Sequence, residues 1–133
     1  MKTYKLTKED RELIGVAKKV IKANWREDRV ISSSTGAALV SGSGNVHKEI
    51  NMGCKSSTSC SICAEMGAVA QMISNGERKI NSVVAVVYWK GRSSIWQPCG
   101  ACRHLVSQFG NPFVIISKTK KVRLDGLYPL PVR

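Results

Sequence analysis

The chain has 133 residues, 43% hydrophobic and 23% charged, which suits one globular domain spanning residues 1–133 and excludes a disordered tail. Its longest apolar run, residues 83–89, is too short to cross a bilayer, and the opening Met1-Lys2-Thr3-Tyr4-Lys5 lacks the apolar core of a signal peptide. Twenty-one basic residues against nine acidic ones give a net charge of +12.

Such a charge invites a nucleic-acid reading through counterion release. The basic residues are scattered, however. Lys8, Arg11, Lys18, Lys19, Lys22 and Arg26 lie along the first expected helix, and Lys118, Lys120, Lys121 and Arg123 near the end. No aromatic residue sits among the second group to stack on bases. A solvated basic face is the simpler reading, and neither nucleic acid nor membrane is expected as a partner. Five cysteines, an odd number with two of them in C-x-x-C, point to a cytoplasmic setting and to metal or redox chemistry before disulfides.

Thr7-x-x-Asp10 resembles a capping box, and Leu13, Ile14, Ala17, Val20 and Ile21 follow at helical spacing, so a helix is expected over 8–25. Residues 35–40 read as a strand, Ser41-Gly42-Ser43-Gly44 as a turn, and 46–52 as a second strand. Ser61 or Ser59 is the expected cap of a helix over 63–74, closed by Asn75-Gly76. Residues 82–88, rich in valine, read as a buried strand. Pro98 opens a third helix reaching about Gln108 and ended by Gly110. Residues 113–117 form another core strand, and 122–127 a fifth. The order α-β-β-α-β-α-β, with this final strand, describes one sheet with helices on its faces.

Cys63-Ala64-Glu65 and Pro98-Cys99-Gly100-Ala101-Cys102 carry the chemistry. This reading puts all three cysteines near helix N-termini, where the positive end of the dipole favours the thiolate that binds metal. Three thiolates leave one tetrahedral position of a zinc ion open, as catalysis requires. Glu65 is then placed to move protons without binding metal, and the pattern is that of zinc deaminases in three-cysteine form. Arg103, beside Cys102, is a candidate to offset the charge of three thiolates by donating to a sulfur. Alternatives remain: a redox C-x-x-C, or a closed structural zinc site completed by Cys54, Cys60, His47 or His104. Cys54 and Cys60 otherwise read as loop or small buried thiols, with Cys60 near enough to Cys63 to oxidise with it. His104 reads as a packed histidine, and His47 as a surface one.

Over nearly its whole length the chain resembles the cytidine deaminase family, especially its small three-cysteine zinc forms. The resemblance rests on Gly36-Ala37-Ala38-Leu39, Asn51, Cys63-Ala64-Glu65 and Pro98-Cys99-Gly100-Ala101-Cys102-Arg103. It implies an α/β fold, a three-layer α/β/α arrangement with a mixed five-stranded sheet, and a homotetramer. It implies Cys63, Cys99 and Cys102 as zinc ligands, Glu65 as proton shuttle and Ala64 as a backbone contact to the base. The implied activity is release of ammonia from a cytosine-like nucleoside or related small molecule.

The substrate positions depart from the family. Its Asn-Val-Glu is Asn51-Met52-Gly53 here, so the ribose-binding carboxylate is missing, and Ser33 stands where a Phe is frequent. Met66 replaces the arginine that often follows C-A-E, and no aromatic residue of the C-terminus clearly matches the one that crosses to a neighbouring site. A lost charged hydrogen bond of about 1.5–3 kcal/mol lowers cytidine specificity roughly ten- to a hundredfold. In this the chain is similar to blasticidin S deaminases. Trp96, just ahead of the second zinc motif, either stacks on a planar substrate in place of the Phe or is an ordinary core aromatic. From another class, a non-catalytic nucleic-acid-binding module on the same scaffold is conceivable, but the intact Glu65 opposes it.

Overall fold

A computed structural model describes residues 1–132. In chain order it contains β1 (Tyr4–Lys5), α1 (Lys8–Asn24), β2 (Arg26–Glu27), β3 (Ile31–Ser33), β4 (Thr35–Ser41), β5 (Val46–Ile50), β6 (Gly53–Cys54) and α2 (Ala64–Ser74). There follow β7 (Ile80–Trp89), β8 (Arg92–Trp96), α3 (Gly100–Ser107), β9 (Phe113–Ile115) and β10 (Lys120–Arg123), with 3-10 turns at Thr58–Cys60 and Leu124–Gly126.

The main sheet is mixed and runs β1-β10-β9-β7-β4-β5. Among the described residues only β7 and β9 pair in parallel; β4 occupies one edge of β7, and β8 and β9 share the other. Side chains alternate across this sheet with period two. Ala38, Val84, Val86 and Ile115 face Leu13 and Ala17 of α1. Leu39, Val83, Val114 and Val122 face Ala68, Val69 and Met72 of α2 and Val106 of α3. The result is the expected three-layer α/β/α arrangement. Contact between α1 and β4 is so close that a Cβ on Gly36 would stand 2.3 Å from the Ala17 carbonyl oxygen. A glycine is required there by space rather than by backbone dihedral.

The five expected strands are all present, and two more join the sheet. β1 adds two residues against β10. β8 pairs with the C-terminal half of β7 through a two-residue turn in which Lys90 and Gly91 have φ of 49° and 78°. Both central residues at positive φ match the right-handed twist of a hairpin. The last strand lies earlier than expected, at Lys120–Arg123, because Lys121 is buried there and residues 124–126 wind into a 3-10 turn. A separate sheet of β2, β3 and β6 forms beside the main one.

The capping box is present: Asp10 N–H donates to Thr7 Oγ1 at 3.2 Å and Thr7 N–H to Asp10 Oδ2 at 2.9 Å. Asp10 also accepts from Lys121 Nζ at 2.6 Å, with both side chains buried, tying the start of α1 to β10. Burial pushes the Asp10 carboxyl up, but the bonds from Lys121 and Thr7 outweigh it and the net shift is downward. Asp10→Ala should cost about 3 kcal/mol, since it strands a buried ammonium and removes a cap. A depressed carboxyl stabilises above its unfolded pKa and loses that contribution as pH falls through the folded one. The variant's denaturation midpoint should therefore lie well below the parent's at pH 7 and converge on it below about pH 4. A constant gap across that range would contradict the assignment.

Candidate metal centre and cleft

α2 and α3 each begin directly after a cysteine. Cys63 is the N-cap of α2 and Cys99 the N-cap of α3, and neither side chain caps its own helix by a hydrogen bond. The expected serine cap at Ser59 or Ser61 is therefore corrected: the position nearest the helix belongs to a thiol turned toward the other cysteines. Cys63 Sγ and Cys99 Sγ are 3.8 Å apart, and with Cys102 all three sulfurs lie within 4.8 Å of one another. Sulfurs bound at about 2.3 Å to a tetrahedral zinc ion are about 3.8 Å apart, so the donor set and its spacing fit that metal. Among the described residues no other histidine, cysteine or carboxylate joins the group, which leaves a fourth position open.

The thiols differ in their surroundings. Burial raises Cys99, but backbone N–H groups of Cys102 and Ala101 and the neighbouring thiols bring its pKa below the ordinary value. Burial pushes Cys63 up, and the other groups of the cluster do not reverse it. Cys102, fully buried, is pushed up most, by burial and then by the negative charge of Glu65 and the other two sulfurs. Without a cation Cys63 and Cys102 hold their protons, which a divalent ion would displace.

Glu65 lies in the first turn of α2 and is 6% exposed. Burial raises its carboxyl above the usual range, and hydrogen bonds from its own backbone and from Cys102 pull it only partly back. It lines a cleft of about 240 Å³ together with Cys63, Cys99, Asn51, Ala64 and Trp96. Asn51 Oδ1 accepts from the backbone N–H groups of Ser34 and Thr35, both at 2.9 Å. Two backbone donors demand an oxygen there, so Asn51 has only its amide N–H groups to offer a ligand. Trp96 is 60% exposed at the cleft edge, which rules out the core-aromatic alternative.

Arg103 does not donate to a sulfur. Its Nε donates to Pro98 O at 2.8 Å, Nη1 to Leu127 O at 3.0 Å and Nη2 to Gln97 Oε1 at 3.3 Å. A helical side chain leans toward its own N-terminus, which carries this one onto the loop bearing Cys99. It braces the loop and leaves the ligands' charge alone. His104 is exposed, not packed, and its Nδ1 lies 2.9 Å from Tyr128 Oη. His47 is half-buried, not on the surface, and its Nε2 is 3.0 Å from Glu77 Oε1. Both histidines, with Cys54 and Cys60, stand outside the sulfur cluster, so the closed structural site is not formed. The cleft also contains Thr35, Ser61, Ile62 and Ala85, which the sequence reading did not select. Ala85, a small residue inside a run of valines, was a signal of space above β7.

Such a centre suits hydrolysis at a carbon bonded to nitrogen, where water is activated and an amine protonated in one place; the class is that of metal-dependent deaminases. Comparison with known proteins gives the same class. The model described as "Cytidine and deoxycytidylate deaminase zinc-binding region" matches residues 7–118, and the chain belongs to that family. It is similar to a blasticidin-S deaminase of Bacillus cereus, 31% identical over 98% of this chain and 96% of that protein. It is 36% identical to a cytidine deaminase of Mycoplasma genitalium over 53% of this chain and 49% of that one. In fold it resembles the crystal structure of cytidine deaminase from Mycobacterium tuberculosis, with a TM-score of 0.76 and 23% identity over 92% of this chain and 95% of that one. The protein is a zinc-dependent hydrolytic deaminase acting on a C–N bond.

Proposed function

We propose that Cys63, Cys99 and Cys102 hold a catalytic zinc ion and that Glu65 moves the protons of a hydrolytic deamination. The observation that carries this reading is the buried carboxyl of Glu65 lining the cleft where two of the sulfurs are reached. A zinc ion held there supplies a Lewis-acidic open position that lowers the pKa of a water. Glu65 takes one proton of the attacking water and passes it to the ring nitrogen of an amidine, then takes the proton of the new hydroxyl and gives it to the leaving amine as the C–N bond breaks. Water oxygen becomes the new carbonyl, and nitrogen departs as ammonia. A desolvated carboxyl accepts and returns a proton near neutrality more readily than an exposed one.

The base is held by the Ala64 backbone and the Trp96 ring, and the Asn51 amide reaches the ribose. Trp96→Ala should raise KM about tenfold, the worth of one stacked base. Its exposure means that kcat and thermal stability should stay near the parent's; a loss confined to stability would argue against stacking.

The substrate is a cytosine-like nucleoside or a related small molecule. A specific observation favours a second reading, an aminoacylnucleoside antibiotic of the blasticidin S type. Gly53 supplies no carboxylate to the cleft, and Ser33 lines a neighbouring cavity of about 270 Å³ that shares Asn51, Met52 and Ile62 with it. The Bacillus cereus relative, matched over 98% of this chain, acts, by its name, on blasticidin S. Ammonia release from cytidine, deoxycytidine, cytosine and blasticidin S separates the readings. Efficient cytidine turnover favours the first, and turnover of blasticidin S with silence on cytidine the second. A homotetramer in the cytoplasm is the expected state, supported by family resemblance, by exposed Met52 and Ile62 at the cleft mouth, and by five free thiols. Light scattering of the eluted protein tests the tetramer.

A further inference from the structure

Two cysteines that the deamination does not use, Cys54 and Cys60, adjoin Gly53 and Ser61 of the cleft. Met52 and Ile62 form an antiparallel bridge, exchanging N–H···O bonds of 2.9 and 2.8 Å. Cys54 stands two residues after Met52 and Cys60 two residues before Ile62, so the bridge closes a loop that carries one cysteine on each arm. The chain keeps these two segments together although Thr58–Cys60 coils into a 3-10 turn. Cys54 N–H donates to Ser61 Oγ at 3.1 Å, and Cys54 Sγ lies 3.2 Å from Cys60 O. Hydrogen bonding with Cys60 raises the Cys54 thiol above its ordinary pKa. Cys60 is exposed, with its Sγ 3.1 Å from Ser57 O rather than turned toward Cys63.

We propose that Cys54 and Cys60 form an oxidation site, closing to an intramolecular disulfide under peroxide while Cys63, Cys99 and Cys102 are spared. The exposed Cys60 sulfur attacks the O–O bond of hydrogen peroxide, becoming a sulfenic acid as one water leaves. The Cys54 sulfur then attacks the Cys60 sulfur. The S–S bond forms, the S–O bond breaks, and hydroxide leaves with the Cys54 proton as a second water. Two thiols give up two electrons and peroxide takes them. The crosslink ties together the segment whose Gly53 and Ser61 line the cleft.

The test treats zinc-loaded protein with a small excess of hydrogen peroxide, then alkylates and digests it. Cleavage after Lys55 puts Cys54 on peptide 49–55 and Cys60 on peptide 56–78. The expected product is these peptides joined, two hydrogens lighter than their sum, with fragmentation placing the link at Cys60 rather than Cys63. Alkylatable thiols in the denatured, metal-free protein should fall by two from the original five, while zinc stays bound before denaturation. Cys60→Ser should give no linked peptide and keep its zinc. A link through Cys63, zinc loss preceding any disulfide, or Cys54 and Cys60 both remaining alkylatable would overturn the proposal.

Discussion

Glu65→Gln is expected to lower kcat by about three to four orders of magnitude and leave zinc binding intact. General acid–base catalysis by one side chain is worth roughly 10²–10⁴, and here the same carboxyl serves water, ring nitrogen and leaving amine in turn. Glutamine keeps the shape and a hydrogen-bonding oxygen but cannot carry a proton. It also removes the negative charge that helps to raise the Cys102 thiol, so it gives no electrostatic reason for the metal to leave. Metal analysis beside ammonia release reads both quantities. If zinc and turnover vanished together, Glu65 would be holding the site rather than doing chemistry. If turnover survived, the proton route would lie elsewhere.

Cys102→Ser is expected to weaken zinc binding by more than about a hundredfold, the upper end of what losing a mere supporting group to a ligand costs. Serine nearly matches cysteine in volume, and α3 continues through this position, so the fold should persist. Zinc content after dialysis against a mild chelator, compared with the far-ultraviolet circular dichroism of the same sample, separates metal loss from unfolding. Stoichiometric zinc in the variant would show that Cys63 and Cys99 alone define the centre. The parent should release protons on binding zinc and bind it more weakly as pH falls, because burial and the neighbouring charges hold the proton on Cys102.

Most of this centre is legible in the chain. Cysteines at the starts of two helices need only those helices to converge, and both pack on one face of the sheet. Three features were hidden, each for a physical reason. β8 reads Arg92-Ser93-Ser94-Ile95-Trp96, too polar for a strand, and its turn uses lysine where Asn or Asp usually accepts positive φ. β10 contains two lysines, and only the buried partner Asp10, far away in sequence, explains why Lys121 lies inside. Arg103 invites an electrostatic role by adjacency to a ligand. Its actual bonds go to Pro98 and Leu127 carbonyls and to Gln97, a choice made by helix direction and by the returning C-terminal segment. The specificity residues are legible only as losses. Gly53 and Ser33 announce an altered pocket, while the residues that now line it, such as Ile62 and Thr35, come together only through the Met52–Ile62 bridge and the register of β4.

The measurement that bears most directly on a three-thiolate zinc deaminase worked by Glu65 is a zinc titration of the metal-free protein. Ammonia release from the best substrate of the panel is followed beside bound metal. The rate should rise in proportion to zinc and level off at one ion per chain, with Glu65→Gln taking up the same ion and remaining silent. Turnover in the metal-free protein, or saturation at a stoichiometry other than one, would contradict it.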